Sequence, residues 1–237
     1  GRRLGAAGVA MSLLTPPLLV DEVQTFWRDG FVHLPHVFGS EQLLALRHDL
    51  DDLSGWRAAV TAGEGDVIGS GPWLNAEVGH YFTPVERLRD RSVAWRSVCD
   101  GVLQQAAGQL LGAPAVFEHA TGIVKPPAKG QTFPLHQDGV YYSPDDGRCV
   151  LANVYLDDVR VDNGSILFAP GSHTQLWPHD KAHGKKSLTR PGPWTPSLVT
   201  PQAQAGDVVW FHLWTVHGSP PNRSARLRRT VRVGYVT

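Results

Sequence analysis

The chain has 237 residues, with 22 Lys plus Arg against 22 Asp plus Glu and a formal net charge of zero. It is long enough to bury a sizeable core in one large domain, and it lacks the basic excess with which a general nucleic-acid binder holds its partner. Its two cysteines, Cys99 and Cys149, show no CxxC spacing, so they indicate neither a disulfide framework nor a cysteine zinc site and predict a reduced, cytoplasmic protein. No apolar run reaches the roughly 18 to 20 residues that cross a bilayer, so no membrane partner is expected.

Residues 1–11 hold the only methionine, Met11, after an Arg-containing, small-residue lead. They are expected to be a disordered extension or a cloning remnant, with one domain over 12–237. Helical spacing comes first in Asp21 to Asp29, where Val23, Phe26 and Trp27 share a face and Gly30 signals the stop. Phe31 to Pro35 reads as a strand. A second amphipathic helix is predicted over Ser40 to Leu53, with Ser40 as N-cap and Leu43, Leu44, Leu46 and Leu50 as its apolar stripe. A third is predicted over Ser92 to Leu111, before Gly112.

From Ala115 the texture changes to short runs of β-forming residues between Gly and Pro: Val116 to His119, Gly122 to Lys125, Cys149 to Leu156, Ser165 to Ala169, Asp207 to His212 and Thr230 to Val236. Asp162-Asn163-Gly164 reads as a hairpin turn. The fold class is therefore mainly β with flanking α-helices, the strands closing into a double-stranded β-helix, a jelly roll or cupin-like core whose mouth holds a small ligand. Two irregular stretches, Gly63 to Tyr81 and Thr174 to Gln204, flank that mouth, the second as a functional lid that includes a solvated Lys185-Lys186 loop.

Among eleven histidines, His136 stands in Leu135-His136-Gln137-Asp138-Gly139. On an extended strand His136 and Asp138 point to one side and can share a cation. His217, at a strand end beside Gly218, offers a third ligand. Two imidazoles and one carboxylate on one face of a metal, with the opposite face open, form the triad that oxygen-activating non-haem iron(II) sites use. His173 and His212 read as packed, structural residues. His119 faces either the pocket or the core, and Trp73, Trp177 and Trp194 either wall a substrate or cover the core.

In this order, Phe26 to Pro35, Lys125-Pro126-Pro127, His136-Gln137-Asp138, Asp162-Asn163-Gly164-Ser165, Pro170-Gly171-Ser172-His173 and His217 through Arg228 resemble the phytanoyl-CoA dioxygenase-like branch of the iron- and 2-oxoglutarate-dependent oxygenases. The resemblance covers nearly all of the chain from about residue 20. It implies that His136, Asp138 and His217 hold Fe(II), that Arg228 anchors the remote carboxylate of 2-oxoglutarate, and that Ser219 adds a hydroxyl hydrogen bond. Arg226 and Arg229 are rivals for the anchor. Phe133 is implied to pack against the cosubstrate and Asn153 to approach its chelating end; Trp73, Trp177 and His119 are the substrate candidates.

The implied reaction consumes O2 and 2-oxoglutarate, releases succinate and CO2, and oxidises an unactivated C–H bond of a small or medium organic molecule, with specialised metabolism as the setting. Asp138 stands where halogenating relatives have a small residue, which favours hydroxylation over halogenation. Desaturation, cyclisation and epimerisation stay open. So do two readings from other classes on a cupin-like barrel: a metal-dependent hydrolase or isomerase, and a non-catalytic binding protein. The sequence is silent on oligomeric state.

Overall fold

The computed structural model describes residues 18–54, 83–127, 132–141, 148–182 and 185–237. Residues 1–11 and Trp73 lie outside the described residues. Helix α1 (Val20–Asp29) starts one residue earlier than its periodicity predicts. Glu22 at its third position accepts a hydrogen bond from the Leu19 N–H at 2.7 Å, satisfying a donor that the first turn leaves open. Gly30, at φ 85°, ends the helix, and its N–H reaches back to the Phe26 carbonyl. Phe26 is fully buried, whereas Trp27 stays half exposed and donates its indole N–H to the Leu110 carbonyl at 3.1 Å.

The Gly30 carbonyl accepts from the His212 N–H at 2.8 Å and from the Thr215 hydroxyl at 2.6 Å, so this turn ties the first helix to the segment that leads to His217. A methyl group at Gly30 would strike the His173 ring and the Thr215 hydroxyl, in a left-handed backbone conformation that side chains rarely adopt. Gly30→Ala is expected to cost about 2 kcal/mol and to lower the thermal midpoint by about 6 °C in an unfolding scan. An unchanged midpoint would show that the turn relaxes freely.

Helix α2 (Ser40–Ser54) begins at Ser40 itself, so Ser40 is not the cap: the Gly39 carbonyl starts the helical ladder and the Gln42 side chain reaches back to the Gly39 N–H at 3.1 Å. Of the predicted stripe, Leu43, Leu46 and Leu50 are buried, but Leu44 is exposed because it sits a full 100° around the helix from Leu43. The helix predicted over Ser92 to Leu111 is three pieces: Val93–Val98, a π-helical turn Cys99–Leu103 and Gln104–Leu111. Gly101, at φ −106° and ψ −113°, breaks the regular ladder, and Ser92 lies outside the first piece, capping it through the Trp95 N–H at 3.0 Å.

The strands are β1 (Phe31–Leu34), β2 (Thr83–Val85), β3 (Val116–Lys125), β4 (Phe133–His136), β5 (Cys149–Tyr155), β6 (Leu167–Phe168), β7 (His179–Ala182), β8 (Lys185–Leu188), β9 (Val208–His212), β10 (His217–Ser219) and β11 (Arg228–Val236). Two runs read separately, Val116 to His119 and Gly122 to Lys125, are one strand, because pairing with β11 along its whole length carries it past Ala120 to Gly122. A six-stranded antiparallel sheet in the order β1-β9-β5-β11-β3-β2 faces a three-stranded sheet β4-β10-β6, which makes the jelly-roll core.

Asp162-Asn163-Gly164 is not a hairpin turn. It lies in a 3-10 turn with Gly164 at φ 84°, on the path from β5 in the large sheet to β6 in the small one. The stretch from 174 to 204 is likewise not wholly irregular, since β7 and β8 pair within it, and Lys185-Lys186 opens β8 rather than forming a loop.

Alternation divides the large sheet cleanly. Val150, Ala152, Val154, Val208, Trp210, Val231 and Val233 pack with the helices in one core, while Leu151, Tyr155, Val209 and Phe211 pack with Ile166 and Phe168 between the sheets. Polar side chains on the inward face of β3, β5 and β11 therefore end up in the barrel interior, where an unpaired polar group is costly and a bound ligand is the ordinary partner.

Candidate metal centre

His136 closes β4 and His217 opens β10, and the two are direct partners across this antiparallel pair. Residues so opposed have neighbouring Cβ atoms, and the imidazole centroids lie 4.4 Å apart. His136 Nδ1 donates to the Pro134 carbonyl at 2.8 Å and His217 Nδ1 to the Thr215 carbonyl at 2.9 Å. Both rings are thereby fixed with Nε2 as the lone-pair atom, the arrangement that a metal ligand needs.

Asp138 arrives by a different route from the one that strand alternation predicts. β4 ends at His136, and Asp138 is the first residue of a 3-10 turn, Asp138–Tyr141. Its neighbours pin it. Gln137 donates through Nε2 to the Gln175 and Trp214 carbonyls and accepts from the Trp177 N–H at 2.7 Å, while the Gly139 N–H donates to the Leu213 carbonyl at 3.0 Å.

His136 Nε2 lies 3.6 Å from Asp138 Oδ1 and His217 Nε2 lies 3.8 Å from Oδ2. These separations are too long for hydrogen bonds but suit ligands around one ion. All three ligand atoms fall within 4.8 Å of one another, the one such cluster among the described residues. Burial, reinforced by His136 alongside, pushes His217 down to about 4, so at neutral pH it is the uncharged, ligating form. Burial alone would drive the Asp138 carboxyl upward, but the Arg232 guanidinium and the two imidazoles outweigh it and hold the group well below the usual carboxylate range.

Behind the triad lies a cavity lined by Phe133, Asn153, Ser219 and Arg228 together with His136 and His217. All four residues that the resemblance assigns to the cosubstrate are thus brought to one place. Ile123, Ile166 and Arg232 also line it and were missed by sequence reasoning.

In the sequence Lys125 stands out only as part of Lys125-Pro126-Pro127. It is the direct cross-strand partner of Arg228, and both are essentially fully buried. Lys125 Nζ donates to Ser219 Oγ at 2.6 Å and to the Pro220 carbonyl at 2.7 Å, 5.2 Å above the Phe133 ring. Arg228 Nη1 donates to Thr230 Oγ1 at 2.8 Å, and its Nε is buried with no hydrogen-bond partner among the described residues. Burial pushes the guanidinium down to about 10, which leaves it charged at neutral pH. Like charges directly opposite in a sheet repel, so this pair fits a pocket built for an anion.

The rival arginines are engaged elsewhere: Arg229 pairs with Asp157 and Asp51, and Arg226 with Asp162 at the surface. Neither Trp177 nor His119 is among the cavity-lining residues. Trp177 donates its indole N–H to the Ser172 carbonyl and meets Trp194 edge to face, and His119 is the partner of Gly234 farther along β3. His173 donates to the Trp27 carbonyl at 3.1 Å and His212 Nδ1 accepts from the Trp214 N–H at 3.0 Å, in keeping with packed roles. No described helix is long and apolar enough to cross a membrane.

A sequence profile of the phytanoyl-CoA dioxygenase (PhyH) family matches residues 26–230. The ectoine dioxygenase of Bordetella parapertussis is 31% identical over 241 residues, covering 92% of this chain and 75% of its own. Among solved structures, the non-haem alpha ketoglutarate dependent carbocyclase SnoK from nogalamycin biosynthesis superposes with a TM-score of 0.72 at 24% identity, over 94% of this chain and 87% of its own. The epimerase SnoN, in complex with Fe3+, alpha ketoglutarate and nogalamycin RO, gives 0.69 at 23% identity, over 91% and 82%.

Proposed function

The chain belongs to the phytanoyl-CoA dioxygenase family, and from that premise we infer that it is an iron(II)- and 2-oxoglutarate-dependent dioxygenase hydroxylating an unactivated C–H bond of a small or medium organic molecule. One observation carries this reading: the two histidines of a His-Asp-His cluster line a cavity with buried Arg228, whose cross-strand partner Lys125 is bonded to the cavity-lining Ser219. The donor set fits a divalent metal with open positions, and the paired cations fit a dicarboxylate that reaches from that metal to the barrel end.

In this reading His136, Asp138 and His217 hold the iron, and Arg228 and Lys125 take the remote carboxylate of 2-oxoglutarate. Ser219, already bonded to Lys125, turns its hydroxyl to the same group. Asn153 and Phe133 flank the cosubstrate, Asn153 with a polar edge and Phe133 with an apolar face. The bound iron and 2-oxoglutarate supply the oxidising power: one O2 is consumed, 2-oxoglutarate loses CO2 to become succinate, and the second oxygen atom goes to the substrate. Ile123, Ile166 and Phe133 give the cosubstrate cavity an apolar wall that limits water beside the paired charges.

The likeness to ectoine dioxygenase supports a small organic substrate. The test is aerobic incubation with Fe(II), 2-oxoglutarate and a panel of amino acids, cyclic amino-acid derivatives and polyketide or sugar intermediates. An accepted substrate accelerates succinate release and gains the mass of one oxygen atom. A product of unchanged mass, or one lighter by two hydrogens, would replace hydroxylation with epimerisation, desaturation or ring closure; no iron-dependent succinate with any compound would count against the enzyme.

Lys125→Met keeps the buried stem and removes the ammonium. It is expected to raise the KM for 2-oxoglutarate about tenfold, by loss of one charge-assisted hydrogen bond, with a smaller change in kcat. Steady-state kinetics at varied 2-oxoglutarate check it, and an unchanged KM would assign Lys125 to the strand interior alone.

A further inference from the structure

Arg232 was not singled out by any motif, yet it is the residue that touches Asp138. It roots in the middle of β11, opposite Asn153 on β5 and Thr121 on β3, on the inward face that also carries Arg228 and Thr230. Its Nη1 lies 3.0 Å from Asp138 Oδ1 and 2.9 Å from Oδ2, one nitrogen spanning both oxygens. The Asp138 side chain is almost wholly buried, so this contact is little screened by water.

We infer that Arg232 is a positioning residue for the metal-binding carboxylate: its Nη1, which here spans both oxygens of Asp138, keeps one of them when a metal takes the other. The inference rests on the iron site proposed above. Two physical arguments support it. A carboxylate free to offer both oxygens would occupy a position that a chelating keto acid or dioxygen must use, and a guanidinium bonded to one oxygen forbids that. In addition, one carboxylate cannot neutralise both a guanidinium and a metal dication. Arg232 therefore lowers the affinity for the bare metal and, with Arg228 and Lys125, leaves a positive surplus that a dianion answers. Metal and 2-oxoglutarate are then expected to bind better together than apart.

The experiment uses Co(II), which needs no protection from air, with wild type, Arg232→Met and Arg232→Lys. Co(II) binding is read by equilibrium dialysis, and 2-oxoglutarate binding to the Co(II)-loaded protein by calorimetry. Arg232→Met removes charge and fork, and is expected to bind Co(II) several-fold more tightly while binding 2-oxoglutarate about tenfold more weakly. Arg232→Lys keeps the charge without the fork, and is expected to leave Co(II) affinity near wild type while still weakening 2-oxoglutarate. If the Met variant fails to fold, Arg232→Gln, which also removes the charge, carries the same two expectations.

Both affinities unchanged in the folded variants, or both lowered, would overturn the inference, since opposite movement is what a merely structural role cannot give. Wild-type Co(II) protein that binds no 2-oxoglutarate would instead overturn the oxygenase reading; tighter Co(II) binding by the Met variant would then still show the hold of Arg232 on Asp138.

Discussion

Asp138→Ala is expected to lose iron-dependent succinate formation down to the level without enzyme. Of the three clustered ligands Asp138 is the anion, and the charges facing the same cavity are Arg232 and Arg228, with Lys125 bonded to the cavity's Ser219. Removing it leaves two imidazoles amid cations, where a metal dication gains too little to offset its lost hydration. His136→Ala is expected to act as strongly for a different reason, because it removes one of the two Nε2 atoms that the cross-strand pair sets side by side. The assay is succinate release in chloride-free buffer, so that no halide takes the vacated position. Iron-dependent turnover in either variant above a few per cent of wild type would move the metal elsewhere.

Arg228→Met is expected to weaken 2-oxoglutarate by about 3 kcal/mol, roughly a hundredfold in its KM, because a buried, bidentate-capable cation is worth far more than an exposed one. The substitution roughly preserves the buried length of the side chain. It also removes the repulsion with Lys125, so the metal-free protein is expected to be no less stable, and saturating 2-oxoglutarate recovers much of kcat. A variant with unchanged KM would place the carboxylate against another cation. An unstable variant with unchanged KM would make Arg228 a structural residue.

The long strands of the large sheet were legible because β-forming runs between Gly and Pro are local signals, whereas β2, β7 and β8 carry no such run, and the Gly30 stop was legible because a left-handed residue needs glycine. The triad was legible in part. His136 and Asp138 were joined by an argument about strand alternation, although the strand ends at His136 and a 3-10 turn held by Gln137 delivers the carboxylate. Lys125 and Arg232 stayed hidden for one reason: their meaning comes from register. Lys125 gains its role by lying opposite Arg228, 103 positions of sequence apart, and Arg232 by pointing inward at Asp138. An Arg among inward positions of an apolar strand was a usable signal, since Thr230-Val231-Arg232-Val233 alternates polar and apolar. The broken third helix was hidden because its apolar spacing survives the π-helical turn that Gly101 permits.

The central claim is that three ligands and two buried cations make one composite site for a metal and a dicarboxylate. Anaerobic equilibrium dialysis with labelled 2-oxoglutarate, with and without Fe(II), tests it most directly. The account predicts one iron and one 2-oxoglutarate per chain, with retention of the keto acid strongly dependent on iron and lost in Asp138→Ala. Retention of 2-oxoglutarate that is indifferent to iron, or iron binding that survives in Asp138→Ala, would contradict it.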